Sequence, residues 1–169
     1  MIPRRFRAPI RASGDGYVVD VSEDEAALVR RLLAELRELL SDAGPEDAGA
    51  PPAGRAVLLA RLFPVAHPDD DAAEAEYQRL MREELVASKL AAFEVVDTTL
   101  AADGRLDEPG LIAFMQSINS LRLVLGTMLG VTDDTDAEVE PDREDSAEYH
   151  LYTYLSGLLE WSVRAIRTG

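Results

Sequence analysis

Residues 108–130, EPGLIAFMQSINSLRLVLGTMLG, decide the fold. Leu111, Phe114, Met115, Ile118, Leu121, Leu125, Met128 and Leu129 recur mostly at steps of three and four, the period of one helical face rather than of a strand. Asp107 and Pro109 give the segment a start, because an Asx cap and a first-turn proline both suit orphan N–H groups. Gly130 is placed for a left-handed stop. This is the most apolar helix of the chain and the candidate core element.

Helices are expected on both sides of it. Upstream, the run His67-Pro68-Asp69-Asp70-Asp71 supplies an N-cap and acidic first turn for a long helix from about Asp70 to Ala101, with Tyr77, Leu80, Met81, Leu85, Ala92 and Val96 on one stripe and Leu90, Phe93 and Leu100 on another; apolar on more than one side, it should sit centrally. Asp103-Gly104 ends it. Before it, Arg55 to Phe63 reads as a short helix stopped at Pro64. Ser22 and Glu25 form a capping box for a helix whose Ala26, Val29, Leu33, Leu36 and Leu40 share one face. Downstream, a last helix from about Asp145 to Arg167 should bury Leu151, Leu155, Leu158, Ser162 and Ile166. Ahead of all of these, residues 4–21 pattern as a β-hairpin, with Phe6–Ile10 and Tyr17–Val21 around Ser13-Gly14-Asp15-Gly16.

The predicted architecture is mainly α: residues 1–169 form a single-domain helical bundle of about five helices with a small N-terminal β-hairpin. Residues 4–21 are the hairpin arm and 22–169 the helical core, with flexible loops near 41–54 and 131–146. The first loop is rich in Pro, Gly and Asp, and residues 132–148 carry nine acidic residues against Arg143. A chain of 169 residues with 47% apolar side chains can bury one core without staples. No stretch reaches the ~18 uninterrupted apolar residues of a membrane span. MIPRRFRAPI lacks the apolar run of a secretory signal, so a cytoplasmic protein is expected.

The net charge of −15, from 32 acidic against 17 basic residues, opposes broad binding to phosphate backbones. With no cysteine, thiolate catalysis, disulfides and cysteine zinc sites are excluded. Two histidines, His67 and His150, leave few routes to nucleophilic or metal chemistry. His67 with Asp69, Asp70 and Asp71 reads better as helix-capping polarity than as a metal cluster. The alternating Asp134, Asp136, Glu138 and Glu140 fail the calcium-loop pattern, which needs glycine where Val139 stands. Neither Walker, dinucleotide nor serine-elbow motifs occur. No enzyme activity, cofactor or metal is expected, and a homodimer is left open.

Two polar features stand out. Gln116, Asn119, Arg122 and Gly126, spaced three, three and four apart, draw a narrow polar stripe along the apolar helix. A buried arginine needs a carboxylate or several carbonyls. Either Arg122 pairs with an acid of a neighbouring helix, or the stripe floors a polar pocket or partner contact. Arg4, Arg5, Arg7 and Arg11 make a basic arm, which could meet phosphates or an acidic partner but fits pairing with the chain's own acidic loop better. Lys89 is the only lysine in a chain otherwise using arginine.

The segments Arg61-Leu62-Phe63-Pro64 and Asn119-Ser120-Leu121-Arg122-Leu123-Val124-Leu125-Gly126-Thr127, in this order before a tyrosine-bearing last helix, resemble an actinobacterial family first catalogued as a domain of unknown function. Its members are named oxidative stress regulator AosR. The resemblance implies a cytoplasmic, non-enzymatic, transcription-associated regulator that binds a stress sigma factor or RNA polymerase and promotes transcription of a cysteine biosynthesis cluster. An acidic surface suits such partners. The family's oxidant sensing is attributed to cysteines, so that part of the resemblance does not carry over. Ser120 also stands where the family pattern has Asp, and Phe114 where it has Trp. Competing readings are a small-ligand sensor floored by the polar stripe, and an adaptor in protein turnover or sulfur metabolism. The second would need Leu33, Leu36 and Leu40 exposed.

Overall fold

A computed structural model describes residues 7–41, 53–130 and 146–169. In chain order these form β1 (Ile10–Ser13), β2 (Gly16–Val19), α1 (Glu23–Ser41), α2 (Ala53–Leu62), α3 (Asp71–Ala101), β3 (Arg105–Leu106), α4 (Glu108–Leu129) and α5 (Ala147–Thr168). Five helices and an N-terminal hairpin match the architecture read from the sequence. The loops expected near 41–54 and 131–146 fall almost wholly outside the described residues, as do Arg4 and Arg5.

The helix starts follow the local chemistry. At α1, the Ser22 N–H donates to Glu25 Oε2 at 2.7 Å and the Glu25 N–H donates to Ser22 Oγ at 3.2 Å, closing the capping box. Asp70 accepts from the Ala73 N–H at 2.9 Å, Asp107 from Gly110 at 2.8 Å and Ser146 from Tyr149 at 3.1 Å. Gly130 closes α4 in the left-handed region at φ 71°.

The sheet differs from the hairpin reading. β1 starts at Ile10 instead of running through Phe6–Ile10, so Pro9 precedes the strand and its carbonyl accepts from the Asp20 N–H at 2.7 Å. A third strand, the two-residue β3, pairs antiparallel with β2, Tyr17 opposite Leu106 and Val18 opposite Arg105. The strand order is β1-β2-β3. Because β3 runs straight into α4 and α5 ends against β1, the sheet caps one end of the bundle.

α4 is the core helix. Leu111, Phe114, Ile118, Leu121 and Leu125 are buried, and α4 packs on α3, α5 and α2. Its mean hydropathy of 1.3 over 18 residues would suit a membrane span by composition alone, but this bundle core already gives those side chains a use. The buried Ser117, Ser120 and Ser162 let helices approach closely, each hydroxyl donating to its own helix's carbonyl four residues back at 2.8–2.9 Å. α1 lies antiparallel to α3, tied by Arg30–Asp97 at 2.7 Å and Arg37–Glu94 at 3.4 Å.

Three expectations are corrected. α3 is not central along its length: full burial is confined to Ala92, Phe93, Val96 and Thr99, and Leu80 is 60% exposed. With 31 residues against 22 in α4, α3 is longer by about 13 Å at 1.5 Å per residue, so its first turns have little to pack on. On α5, Ile166 is exposed and Ala165 takes the buried place, where a small side chain lets β1 approach. Met128 on α4 is also exposed, at 66%.

Gly104 turns the chain from α3 into β3 at φ 73°, and a Cβ there would lie 2.2 Å from the Val19 carbonyl oxygen. Gly14, at φ 62° in the hairpin turn, has nothing within 4 Å of the same position. Gly14→Ala should therefore cost only the left-handed penalty of about 1–2 kcal/mol. Gly104→Ala adds displacement of β2 and should cost about 3 kcal/mol or more in denaturant unfolding; equal costs would show that the β2–β3 junction is not tightly packed.

Candidate functional site

The polar stripe does not form a buried pocket floor. Gln116 is exposed, Asn119 and Arg122 are half-buried, and Gly126 is buried. Arg122 does not pair with an acid of a neighbouring helix: among the described residues it donates to Asn119 Oδ1 at 3.1 Å on its own helix, and its guanidinium lies 5.9 Å from the Tyr152 ring on α5. Its Nε is buried without a partner. Spacing placed Asn119 and Arg122 on one face correctly, but the partner comes from an aromatic that spacing on one helix cannot reveal. The alternative seam is closed: Leu33, Leu36 and Leu40 are all buried in the monomer.

The Arg61–Pro64 segment is structural at its centre. Leu62 and Phe63 are buried at the end of α2. Arg82 of α3 lies over the Phe63 ring at 4.7 Å from its centroid, and Lys89 Nζ stands 5.8 Å from it. Pro64 then releases the chain into a turn held by Glu74, whose Oε2 accepts from the Ala66 and His67 N–H groups at 2.9 and 2.8 Å. Bonds from Gln78 and this backbone hold the Glu74 carboxyl below its ordinary range. His67 faces Tyr77 edge-on at 5.9 Å, and among the described residues no three His, Asp or Glu side chains gather as metal ligands.

In the basic arm, Arg7 is exposed and Arg11 pairs with Asp20 at 3.3 Å. Pairing between the arm and the acidic loop falls outside the described residues. Gly130 and Ser146, which flank that loop, lie at the end of the bundle away from the sheet and Arg11.

Two features escaped the sequence reading. One is Lys89, half-buried on α3, where burial pushes its amine below the ordinary lysine value. Its Nζ donates to Ser120 Oγ at 3.4 Å, and no carboxylate among the described residues pairs with it. The other is an open groove of about 370 Å³ at the sheet end of the bundle, between Ala8, Ile10 and Arg11 on one wall and Trp161, Arg164, Ala165, Arg167 and Thr168 on the other. The spacing of Trp161, Arg164, Ala165 and Thr168 on one helical face could have signalled it. Among the described residues the arrangement offers surfaces for binding.

A family model described as Domain of unknown function (DUF2017) matches residues 4–166. The chain belongs to this family. It is 28% identical to the putative oxidative stress regulator AosR of Mycobacterium leprae, across 96% of this chain and 88% of the relative. To the oxidative stress regulator AosR of Mycobacterium tuberculosis it is 27% identical, across 96% and 87%. No solved structure matches.

In this DUF2017 member, Ser120 gives Lys89 a hydroxyl where an aspartate would give it a counter-charge. Desolvation disfavours the ammonium, so the folded state binds fewer protons than the unfolded one between the lowered value and the ordinary ~10.4, and stability rises with pH across that window. The stability difference between wild type and Lys89→Met should therefore shift in favour of wild type as pH approaches 10. In Ser120→Asp the lysine titration should move upward, read without overlap by NMR of the ε-methylene because the chain has one lysine. An unmoved titration would show that the two side chains do not sense each other.

Proposed function

We propose that the protein is a non-enzymatic cytoplasmic regulator of the oxidative-stress response, acting as a transcription-associated adaptor through protein contacts with a sigma factor or RNA polymerase. The observation that carries this reading is the similarity, running along 96% of the chain, to proteins named oxidative stress regulators. The net charge of −15 supports it, since polymerase and sigma factors present basic, nucleic-acid-facing surfaces to which an acidic domain is complementary. The same charge opposes direct duplex binding, which gains its affinity from basic residues that displace counterions. With no cysteine in the sequence, a response to oxidant would not run through a thiol of this chain.

Affinity capture with the full chain from the cytoplasm of its own source, with and without oxidant, tests this. Recovery of polymerase or a sigma factor is expected, together with no detectable binding to duplex DNA at low salt. Recovery of neither protein, or duplex binding that vanishes when Arg4, Arg5 and Arg7 are replaced, would overturn the reading.

A further inference from the structure

The groove at the sheet end concentrates positive charge on a strongly acidic molecule. Arg11, Arg164 and Arg167 stand around a floor that includes the buried Ile10 and Ala165, with Trp161 on the rim at 36% exposure. Trp161, Arg164, Ala165 and Thr168 follow i, i+3, i+4, i+7 spacing, so α5 turns one continuous face to the groove. The Arg164 guanidinium lies 5.0 Å from the Trp161 ring centroid, a stacked platform of cation and aromatic.

The arginines are not used up by the fold. Arg167 makes no ion pair with any described residue, and the pairs Arg11–Asp20 and Arg164–Glu160 are partly exposed, at 32%/20% and 56%/65%, so both guanidinium groups can exchange partners. Less the Asp20 and Glu160 carboxylates that pair two of them, the three arginines keep one net positive charge, against the roughly half negative charge of the helix C-terminus beside them. Tryptophan and arginine over an apolar floor are the residue types that dominate binding energy at protein interfaces. The forked guanidinium is matched to carboxylates. A volume near the low end of the ~300–1,000 Å³ of ligand clefts admits side-chain anchors and not a folded domain.

We propose that the groove between β1 and the last two turns of α5 docks an acidic peptide segment of a partner protein, with carboxylates on Arg164 and Arg167 and an apolar side chain over Ile10 and Ala165. This deepens the adaptor reading and rests on it for the occupant being protein. Charge complementarity selects the occupant: in a molecule of net charge −15, a three-arginine cluster beside an apolar floor attracts a short acidic segment with an anchor, whereas a duplex would meet repulsion on every side.

Trp161 is the only tryptophan, so its emission reports on the groove directly. The full chain would be titrated with a peptide of about twelve residues that alternates Glu with Leu and Phe. A saturable shift of Trp161 emission is expected, weakening as salt rises and weakening roughly tenfold or more in Arg164→Gln/Arg167→Gln. Arg31→Gln, on the remote α1, should bind as wild type. The salt series on wild type keeps the test decisive even where the double variant folds poorly by circular dichroism. Three results would overturn the proposal: no change in Trp161 emission, equal binding of an all-Glu peptide of the same length, or a shift produced by phosphatidylglycerol vesicles or duplex DNA and not by the peptide. Capture of sigma factor or polymerase by a double variant that no longer binds peptide would overturn the groove and leave the adaptor reading standing. Peptide binding without any such capture would overturn the adaptor reading alone.

Discussion

The burial of one face of α4 is the interaction on which the rest of the structure depends. Leu111, Phe114, Ile118, Leu121 and Leu125 are buried along one stripe of a helix that packs on α3, α5 and α2, and the helix begins directly after β3, so the same element also fixes the end of the sheet. Gly110 lets the first turn close against Leu106, where a Cβ would stand 2.9 Å from the leucine side chain. Truncating any one of these large core side chains costs about 2–5 kcal/mol, against a total stability of about 5–15 kcal/mol for a domain. The ion pairs of the surface cannot substitute for that, because most are half or more exposed and salt-screened.

Around that core the protein separates its charges. Acidic residues dominate the sequence, yet the sheet end carries Arg11, Arg164 and Arg167 beside apolar side chains. Tyr154 and Lys89 show what the interior does to polar groups. Burial and then the Glu25 carboxylate push the Tyr154 phenol up, while burial pushes the Lys89 amine down, each toward its neutral form. Tyr154 packs against the core and Lys89 reaches the buried Ser120, so both mark places where the fold tolerates polarity.

The parts of the fold legible in the sequence are those decided within a few residues. Ser22 with Glu25, the polar run from His67 to Asp71, and Asp107 with Pro109 announce helix starts because a cap satisfies backbone groups three residues away. The core face of α4 is legible because periodicity alone sets which side chains share a side. What escaped depends on partners distant in sequence. Leu80 lies on an apolar stripe but α3 outruns its neighbours; β3 has only two residues and exists because β2 lies beside it; Arg122 rests on Tyr152 from another helix. The candidate groove is the extreme case, since Ile10 and Ala165 come from opposite ends of the chain.

Native-state hydrogen exchange, resolved by residue, tests most directly whether α4 holds the bundle together. Amides of Leu111–Leu125 should exchange only through global unfolding, sharing one free energy with Leu155–Ala165 of α5, while the first turns of α3 around Leu80 exchange through local opening. Exchange of the α4 amides at a lower free energy than those around Leu80 would contradict the account.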